Sequence, residues 1–184
     1  MKIAVLKETQ NGERRVAATA DTIKKFIALG CTVAVEAGAG LTASQTDDAY
    51  SAAGASLGSR ADVLSGADLV LKVQRPDSAE VAALPEGATL VAMLSPHADK
   101  GLLDSYNSRK LSTYALEFVP RITRAQVMDV LSSQSNLAGY RAVLEAAHAY
   151  GKAFPMMMTA AGTVPPAKVM IMGAGVAGLQ AIAT

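Results

Sequence analysis

Three glycines stand at the spacing G-x-G-x-x-G, directly after a short apolar run and at the start of an apolar segment. In a strand-to-helix turn, Gly173 would allow the tight turn, and Gly175 would let backbone N–H groups approach a pyrophosphate. Gly178 would let the following helix pack closely, and the N-terminus of that helix would attract the phosphates. The same glycines also fit a simple turn in any α/β protein. The motif therefore predicts a dinucleotide site where a strand precedes it and a helix follows it.

Four polar residues form a second candidate site, at the step from a loop into a helix. Arg121, Gln126, Asp129 and Ser132 bring together a positive charge, an amide, a carboxylate and a hydroxyl. Asp129 and Ser132 are three residues apart, so they share one face of a helix. Helix capping and first-turn electrostatics use the same residue types. Spacing alone does not separate ligand binding from capping, and both interpretations stay open.

Charged residues near the N-terminus form a third candidate site. The segment Lys7–Arg15 is polar, and its Arg15 can hold a carboxylate through two parallel hydrogen bonds. The residue types alone favour a solvated, charged loop. Lys72 lies within the apolar run Val70–Val73, so its ammonium must pair with a charge or extend beyond the strand.

The remaining reactive side chains do not assemble into a known catalytic or metal-binding pattern. His97 and His148 have no cysteine or second histidine at metal-ligand spacing, so we predict no metal site. The single cysteine, Cys31, excludes an internal disulfide and fits a reducing compartment. Its apolar setting indicates a small packed side chain. The run Met156–Met158 is typical of adaptable packing at a domain junction.

Alternating apolar runs and helical patterns must position these residues. Predicted strands and helices follow one another in units of roughly 20 to 35 residues from Lys2 to Phe118, which indicates an α/β fold with a doubly wound, mostly parallel Rossmann-like sheet. The predicted strands are Lys2–Leu6, Thr32–Glu36, Ala67–Val73, Thr89–Leu94 and Leu111–Phe118. The predicted helices are Thr19–Leu29, Thr46–Ala53, Ala79–Leu84 and Lys100–Arg109.

The pattern changes after Phe118. A long helical stretch is predicted over Ala125–Tyr150, and Gly139 with the serine-rich residues before it predicts either a kink or two helices. A strand is predicted at Lys168–Met172, ahead of the glycines. We therefore divide the chain into an N-terminal α/β domain (1–124), connecting helices and linker (125–163), and the start of a second, NAD-binding Rossmann domain (164–184).

Composition narrows the function classes. Hydrophobic residues make up 51% and charged residues 18% of the 184 residues, which is typical of a globular chain. A net charge of +1 and the absence of tryptophan give no indication of nucleic-acid binding. No apolar run is long enough for a transmembrane helix, and the N-terminus reads as a strand instead of a signal peptide.

The sequence resembles the NAD(H)-binding α subunit of proton-translocating NAD(P) transhydrogenases. The resemblance covers the whole chain and is densest from Pro120 onward. The residues that carry it are Pro120–Gln126, Leu131–Ala142, Thr159–Ala167 and Gly173–Leu179, together with Lys7–Glu8, Glu13–Ala17 and Val70–Pro76, which match a domain shared with alanine dehydrogenase.

The resemblance implies a site for NAD(H) and a role in direct hydride transfer to or from NADP(H) on a partner subunit. By carry-over, Gln126 and Asp129 take part in catalysis, with the Gln126 amide bridging toward the partner's nucleotide. Ile122 and Thr123 line the nicotinamide site, and Val176 lies by the pyrophosphate. The full set of implied cofactor-binding residues is Arg121, Ile122, Thr123, Gln126, Asp129, Ser132, Gly173, Gly175, Val176 and Gly178.

The resemblance also implies partners and a location. Family members form homodimers that dock on membrane subunits, which carry the proton channel and the NADP(H) site, at the cytoplasmic or matrix face of the membrane. Alanine dehydrogenase is the alternative enzyme, with Arg15 and Lys72 holding its substrate. Its catalytic histidine would fall at Ser95, and His97 stands two positions away. We therefore interpret Arg15 and Lys72 as inherited from the shared fold.

The family's NAD domain continues with further βα units and a ribose-binding acidic residue that the sequence up to Thr184 does not contain. We therefore expect the isolated chain to bind NADH weakly or not at all, and a micromolar dissociation constant would refute this. A third hypothesis is that the chain acts in assembly without catalysis. The apolar side chains of Met170, Ile171, Leu179 and Ile182 would then pack on the N-terminal domain or on a second copy.

Overall fold

The computed structural model describes residues 1–97 and 100–184. The chain folds into two compact units, Met1–Val119 and Pro120–Thr184.

The first unit is built on a six-stranded sheet in which all neighbouring strands run parallel. Its strands are β1 (Lys2–Val5), β2 (Thr32–Glu36), β3 (Ser56–Gly58), β4 (Leu69–Leu71), β5 (Thr89–Ala92) and β6 (Ser112–Ala115). The spatial order is β3-β2-β1-β4-β5-β6, so the chain reverses direction of winding between β1 and β4. The prediction of a doubly wound parallel sheet is confirmed, because this is the strand order of dinucleotide-binding folds.

The sheet is buried on both faces, which explains the continuous apolar runs of its central strands. In β1, Ile3 and Val5 pack on one face with residues of β2, while Ala4 packs on the other face with Val70 and Leu90. This alternation follows from the two-residue period of a strand.

Helices cover both faces. They are α1 (Ala20–Ala28), α2 (Asp47–Ala52), α3 (Arg60–Leu64), α4 (Ser78–Ala83) and α5 (Lys100–Ser108). Thr19 and Thr46, each the first residue of a predicted helix, cap α1 and α2, and each accepts a hydrogen bond from the backbone N–H three residues on. Asp77 caps α4 in a reciprocal capping box with Glu80, whose carboxylate accepts from the Asp77 N–H at 3.1 Å.

The strand β3 and the helix α3 were not predicted, and four of the five predicted strands are shorter in the structure than predicted. Strand β3 has only three residues, which pair with Ala34–Glu36 of β2, and α3 follows it from a Ser59 cap. The predicted strand Leu111–Phe118 ends at Ala115, because a 3₁₀ helix occupies Leu116–Phe118.

The second unit contains a 3₁₀ helix (Thr123–Met128), the helix α6 (Val130–Tyr150), a hairpin of β7 (Met157–Thr159) and β8 (Gly162–Val164), and the helix α7 (Val176–Ala183). The alternative of two helices was wrong, because α6 is one continuous α-helix of 21 residues with Gly151 as its C-cap. The strand predicted at Lys168–Met172 was also wrong: the segment has no regular structure, because no other strand pairs with it within the described part of the chain. No described helix combines the length and apolar character needed to cross a bilayer.

Candidate functional site

The glycine turn and the start of α6 line one cavity in the second unit. Its volume is about 310 Å³. The lining residues are Arg121, Ser132, Ser135, Met172, Gly173, Gly175, Val176, Ala177 and Gly178. Two regions that the sequence separates by some forty residues therefore meet at a single site.

Each glycine of the motif has a different local geometry. Gly173 has φ +101°, which side-chain-bearing residues rarely adopt. A Cβ on Gly178 would lie 2.0 Å from the Gly173 carbonyl oxygen, so only glycine fits that close approach. A Cβ on Gly175 would meet no protein atom within 4 Å. The space beside Gly175 is thus open to a ligand.

The N-terminus of α7 faces this cavity without a side-chain cap. Gly175 is its N-cap residue and provides no side-chain acceptor. The N–H groups of Val176, Ala177 and Gly178 have no partner within the helix, and the helix dipole makes this end partly positive. Arg121 lines the same cavity and adds a full positive charge. This combination suits an anion such as a phosphate.

Asp129 and Ser132 carry out the capping role that the sequence had left open. The Asp129 carboxylate accepts hydrogen bonds from the Ser132 backbone N–H at 2.9 Å and from the Ser132 hydroxyl at 2.6 Å. These hydrogen bonds, with the nearby charge of Arg121, hold the pKa of Asp129 below its ordinary value. Asp129 is buried at the start of α6. Ser132, which donates to this cap, also lines the cavity.

The other predicted residues of this region lie on the 3₁₀ helix or just before it. Ile122, Thr123 and Gln126 are exposed and do not line the cavity. Of the four polar candidates, Arg121 and Ser132 therefore line the cavity, and Asp129 fixes Ser132 through two hydrogen bonds.

Sequence reasoning missed two residues on α6. Ser135 lines the cavity, and a Cβ on Gly139 would lie 2.1 Å from the carbonyl oxygen of Ala177. Glycine at 139 is therefore what lets α6 and α7 touch. A readable signal existed, because Ser132, Ser135 and Gly139 are spaced i, i+3, i+7, which places three small residues on one face of a helix.

The third candidate site is a buried ionic cluster at the carboxyl edge of the first unit's sheet. The Lys72 ammonium lies 2.6 Å from the nearest carboxylate oxygen of Glu80 and 3.9 Å from that of Glu8. Arg60 also contacts Glu80, at 2.6 Å. Burial alone would raise the pKa of Glu80, but the hydrogen bond and charge of Lys72 and the hydrogen bond of Arg60 outweigh it and lower that pKa.

Arg15 is likewise engaged with a neighbouring carboxylate. Its guanidinium donates to both oxygens of Glu13, at 2.8 and 2.6 Å. This hydrogen bonding lowers the pKa of Glu13 to about 2. Both cations that could hold a substrate carboxylate are therefore already bound to carboxylates of the chain itself.

The histidines are not part of either site. The ring of His97 packs against Phe118 with their centroids 5.5 Å apart, and His148 is exposed on α6. Within residues 1–97 and 100–184, no three histidine, cysteine or acidic side chains come together as metal ligands.

Comparison with known proteins identifies relatives over the full chain. A family model described as "Alanine dehydrogenase/PNT, N-terminal domain" matches residues 4–138, and its C-terminal-domain counterpart matches 142–184. An NAD(P) transhydrogenase subunit alpha protein of Rhodospirillum rubrum is 56% identical over 190 residues, covering 100% of this chain and 50% of that protein. An alanine dehydrogenase of Halomonas elongata is 36% identical over 191 residues, covering 98% of this chain and 49% of that protein.

A solved structure is also similar. The crystal structure of transhydrogenase from Sinorhizobium meliloti superposes with a TM-score of 0.96 at 50% identity, covering 100% of this chain and 55% of that one. The chain spans about half the length of the curated relatives it matches.

Proposed function

The chain belongs to the alanine dehydrogenase/PNT family, and from that premise we propose that it forms part of the NAD(H)-binding subunit of an NAD(P) transhydrogenase. Similarity favours this over the alanine dehydrogenase alternative, at 56% against 36% identity. The observation that carries the proposal is the cavity in which Arg121 and the uncapped N-terminus of α7 face open space beside Gly175.

In this proposal the cavity binds the cofactor through its anionic centre. The free N–H groups of α7 and the Arg121 guanidinium neutralise the pyrophosphate. Gly173 and Gly178 hold the turn in the geometry that keeps those N–H groups aimed at the ligand. The bound nicotinamide would supply the hydride chemistry.

The residues before α6 orient the nicotinamide end of the bound NAD(H). Gln126 is exposed and uncharged, which supports its proposed place between NAD(H) and the NADP(H) of a partner subunit. Asp129 acts through Ser132, which it fixes by two hydrogen bonds, so we propose a positioning role for this carboxylate. Ile122 and Thr123 would flank the nicotinamide. Direct hydride transfer depends mainly on such positioning, since both rings must meet with water excluded.

The quaternary setting follows from the family. We propose a homodimer that docks, through partner subunits carrying the proton channel and the NADP(H) site, at the cytoplasmic or matrix face of a membrane. The designation of several relatives as a transhydrogenase subunit alpha supports a multi-subunit complex.

The ionic cluster of the first unit argues against an amino-acid dehydrogenase. An amino-acid substrate would have to displace Glu80 from Lys72 or Glu13 from Arg15 before either cation could hold its carboxylate. An alanine-dependent reduction of NAD by this chain would favour the alternative.

A titration of NADH, followed by nucleotide fluorescence, tests the proposal. Arg121→Ala removes a charged hydrogen-bond donor from the cavity and should weaken NADH binding about tenfold or more. Arg124→Ala is the matched control, because Arg124 is an exposed arginine three residues away, on the 3₁₀ helix Thr123–Met128, and does not line the cavity. Equal losses in both variants would contradict the proposed site.

A further inference from the structure

We propose that Ser135, and not Ser132, donates the serine hydrogen bond to the cofactor's pyrophosphate. The proposal rests on the function proposed above and assigns a further binding residue to the same cavity. It follows from the hydrogen bonds of the two serines that line that cavity.

The hydroxyl proton of Ser132 is already committed. Its Oγ donates to Asp129 Oδ2 at 2.6 Å, and its backbone N–H donates to Asp129 Oδ1 at 2.9 Å. A serine hydroxyl carries one proton, so Ser132 retains only acceptor lone pairs toward the cavity. Phosphate oxygens at neutral pH are acceptors as well. Ser132 can therefore accept from a ribose hydroxyl but has no proton to offer a phosphate.

The hydroxyl proton of Ser135, in contrast, is not used within the described part of the chain. Ser135 lies one turn further along α6, half-buried, on the same cavity wall. Its hydroxyl makes no hydrogen bond within the described residues, whereas the neighbouring Ser133 hydroxyl donates to the Asp129 carbonyl at 3.0 Å. The Ser135 proton is thus available to a ligand. Arg121, on the same wall, supplies the charge that brings an anion within reach.

The two serines then divide the recognition of a dinucleotide. Ser135 donates a hydrogen bond to the pyrophosphate, and Ser132 accepts one from a neighbouring ribose hydroxyl. A hydrogen bond to a charged group contributes more than one between neutral groups. Loss of the Ser135 hydroxyl should therefore affect ligands that carry phosphate and leave phosphate-free nucleosides unaffected.

The test is a titration of the full chain with inorganic pyrophosphate, and separately with NADH, monitored by amide ¹H–¹⁵N spectra. Ser135→Ala should weaken both ligands about tenfold. Ser132→Ala should leave pyrophosphate affinity within about twofold, because its proton is not used on the anion. Ser133→Ala is the matched control, an exposed serine on the same helix that does not line the cavity. Ser135→Asp, which places a negative charge at this point, should abolish pyrophosphate binding and serves as a second variant.

The outcomes separate the inference from the proposed function. If the unmodified chain binds both ligands but Ser135→Ala binds as well as Ser133→Ala, the inference is overturned and the proposed function stands. A loss confined to Ser132→Ala would likewise overturn it. If NADH binds but pyrophosphate neither binds nor competes, the inference fails together with the assignment of this cavity to the pyrophosphate, whereas NADH binding by the chain stands. No response of the unmodified chain to either ligand at millimolar concentration would overturn the inference, whereas weak or absent NADH binding is what we expect of the isolated chain and leaves the proposed function standing.

Discussion

Replacing Lys72 by methionine should destabilise the first unit strongly, because it removes the central cation of the buried ionic cluster and keeps the unbranched stem. The Lys72 side chain is 1% exposed, and its partners Glu80 and Glu8 are 8% and 3% exposed. Removing one partner of a buried ion pair costs about 3–5 kcal/mol, since a buried charge is left without its counter-ion; here that charge is Glu8, whereas Glu80 keeps Arg60. With a urea m-value of about 2 kcal/mol per M, the unfolding midpoint should fall by about 2 M.

The chain offers a matched control in Lys110→Met. Lys110 contacts Glu86 at 2.7 Å, nearly the distance of the Lys72–Glu80 pair, but these side chains are 76% and 57% exposed. An exposed pair contributes about 0.2–1 kcal/mol. Urea unfolding of the two variants, followed by circular dichroism, therefore isolates the effect of burial from that of the contact itself.

The loss in Lys72→Met should also depend on pH. The lowered pKa of Glu80 gives stability that is present above the ordinary glutamate pKa and is lost as pH falls through the folded-state pKa. Burial raises the pKa of Glu8, and Lys72 opposes that rise. Without Lys72 the pKa of Glu8, already raised by burial, rises further, so the folded variant binds a proton at Glu8 more tightly than the unfolded chain does and regains stability as pH falls from 7 toward 5. A loss below about 1 kcal/mol, or one independent of pH, would refute the account of a desolvated cluster.

Two further predictions concern the second unit. Gly139→Ala should push α6 away from Ala177 and cost about 1–3 kcal/mol in overpacking, offset by about 1 kcal/mol of helix propensity. Thermal unfolding measures the change in stability, and NADH titration measures the effect on the cavity. Ala138→Gly is the control that reports helix propensity alone. A net gain in stability with unchanged NADH binding would disprove the close contact. Asp129→Ala should lower Tm by about 2–4 °C through the lost cap, while Asp129→Asn retains it, so equal melting of the two would argue against capping by this side chain.

The fold of the first unit could largely be predicted from its sequence, because local patterns and burial agree. The run Lys2–Val5 is apolar at every position that the sheet covers, and Thr19 and Thr46 stand where helix caps are needed. Strand β3 could not be found in this way. Its three residues carry no period, and they become a strand only by pairing with β2, which is a non-local event.

The strand expected at Lys168–Met172 illustrates the converse. Its composition is typical of a buried strand, yet a strand exists only where another strand satisfies its backbone hydrogen bonds. None does so within the described residues.

The candidate site was predicted in its components but not in its arrangement. The glycine motif and Arg121 could be predicted from the sequence as anion-binding features, and both line the cavity in the structure. The division of roles between Ser132 and Ser135 was not readable, because it depends on which hydroxyl is already bound by Asp129. Similarly, the pairing of Lys72 with Glu80 depends on where the first turn of α4 lies against the sheet.

The most direct test of the proposed cofactor site is an amide-resolved map of NADH binding to the full chain. We predict shifts at Arg121, along Asp129–Ser135 and along Gly173–Gly178, and their loss in Arg121→Ala. Shifts centred instead on Lys72 and Arg15 would contradict the account.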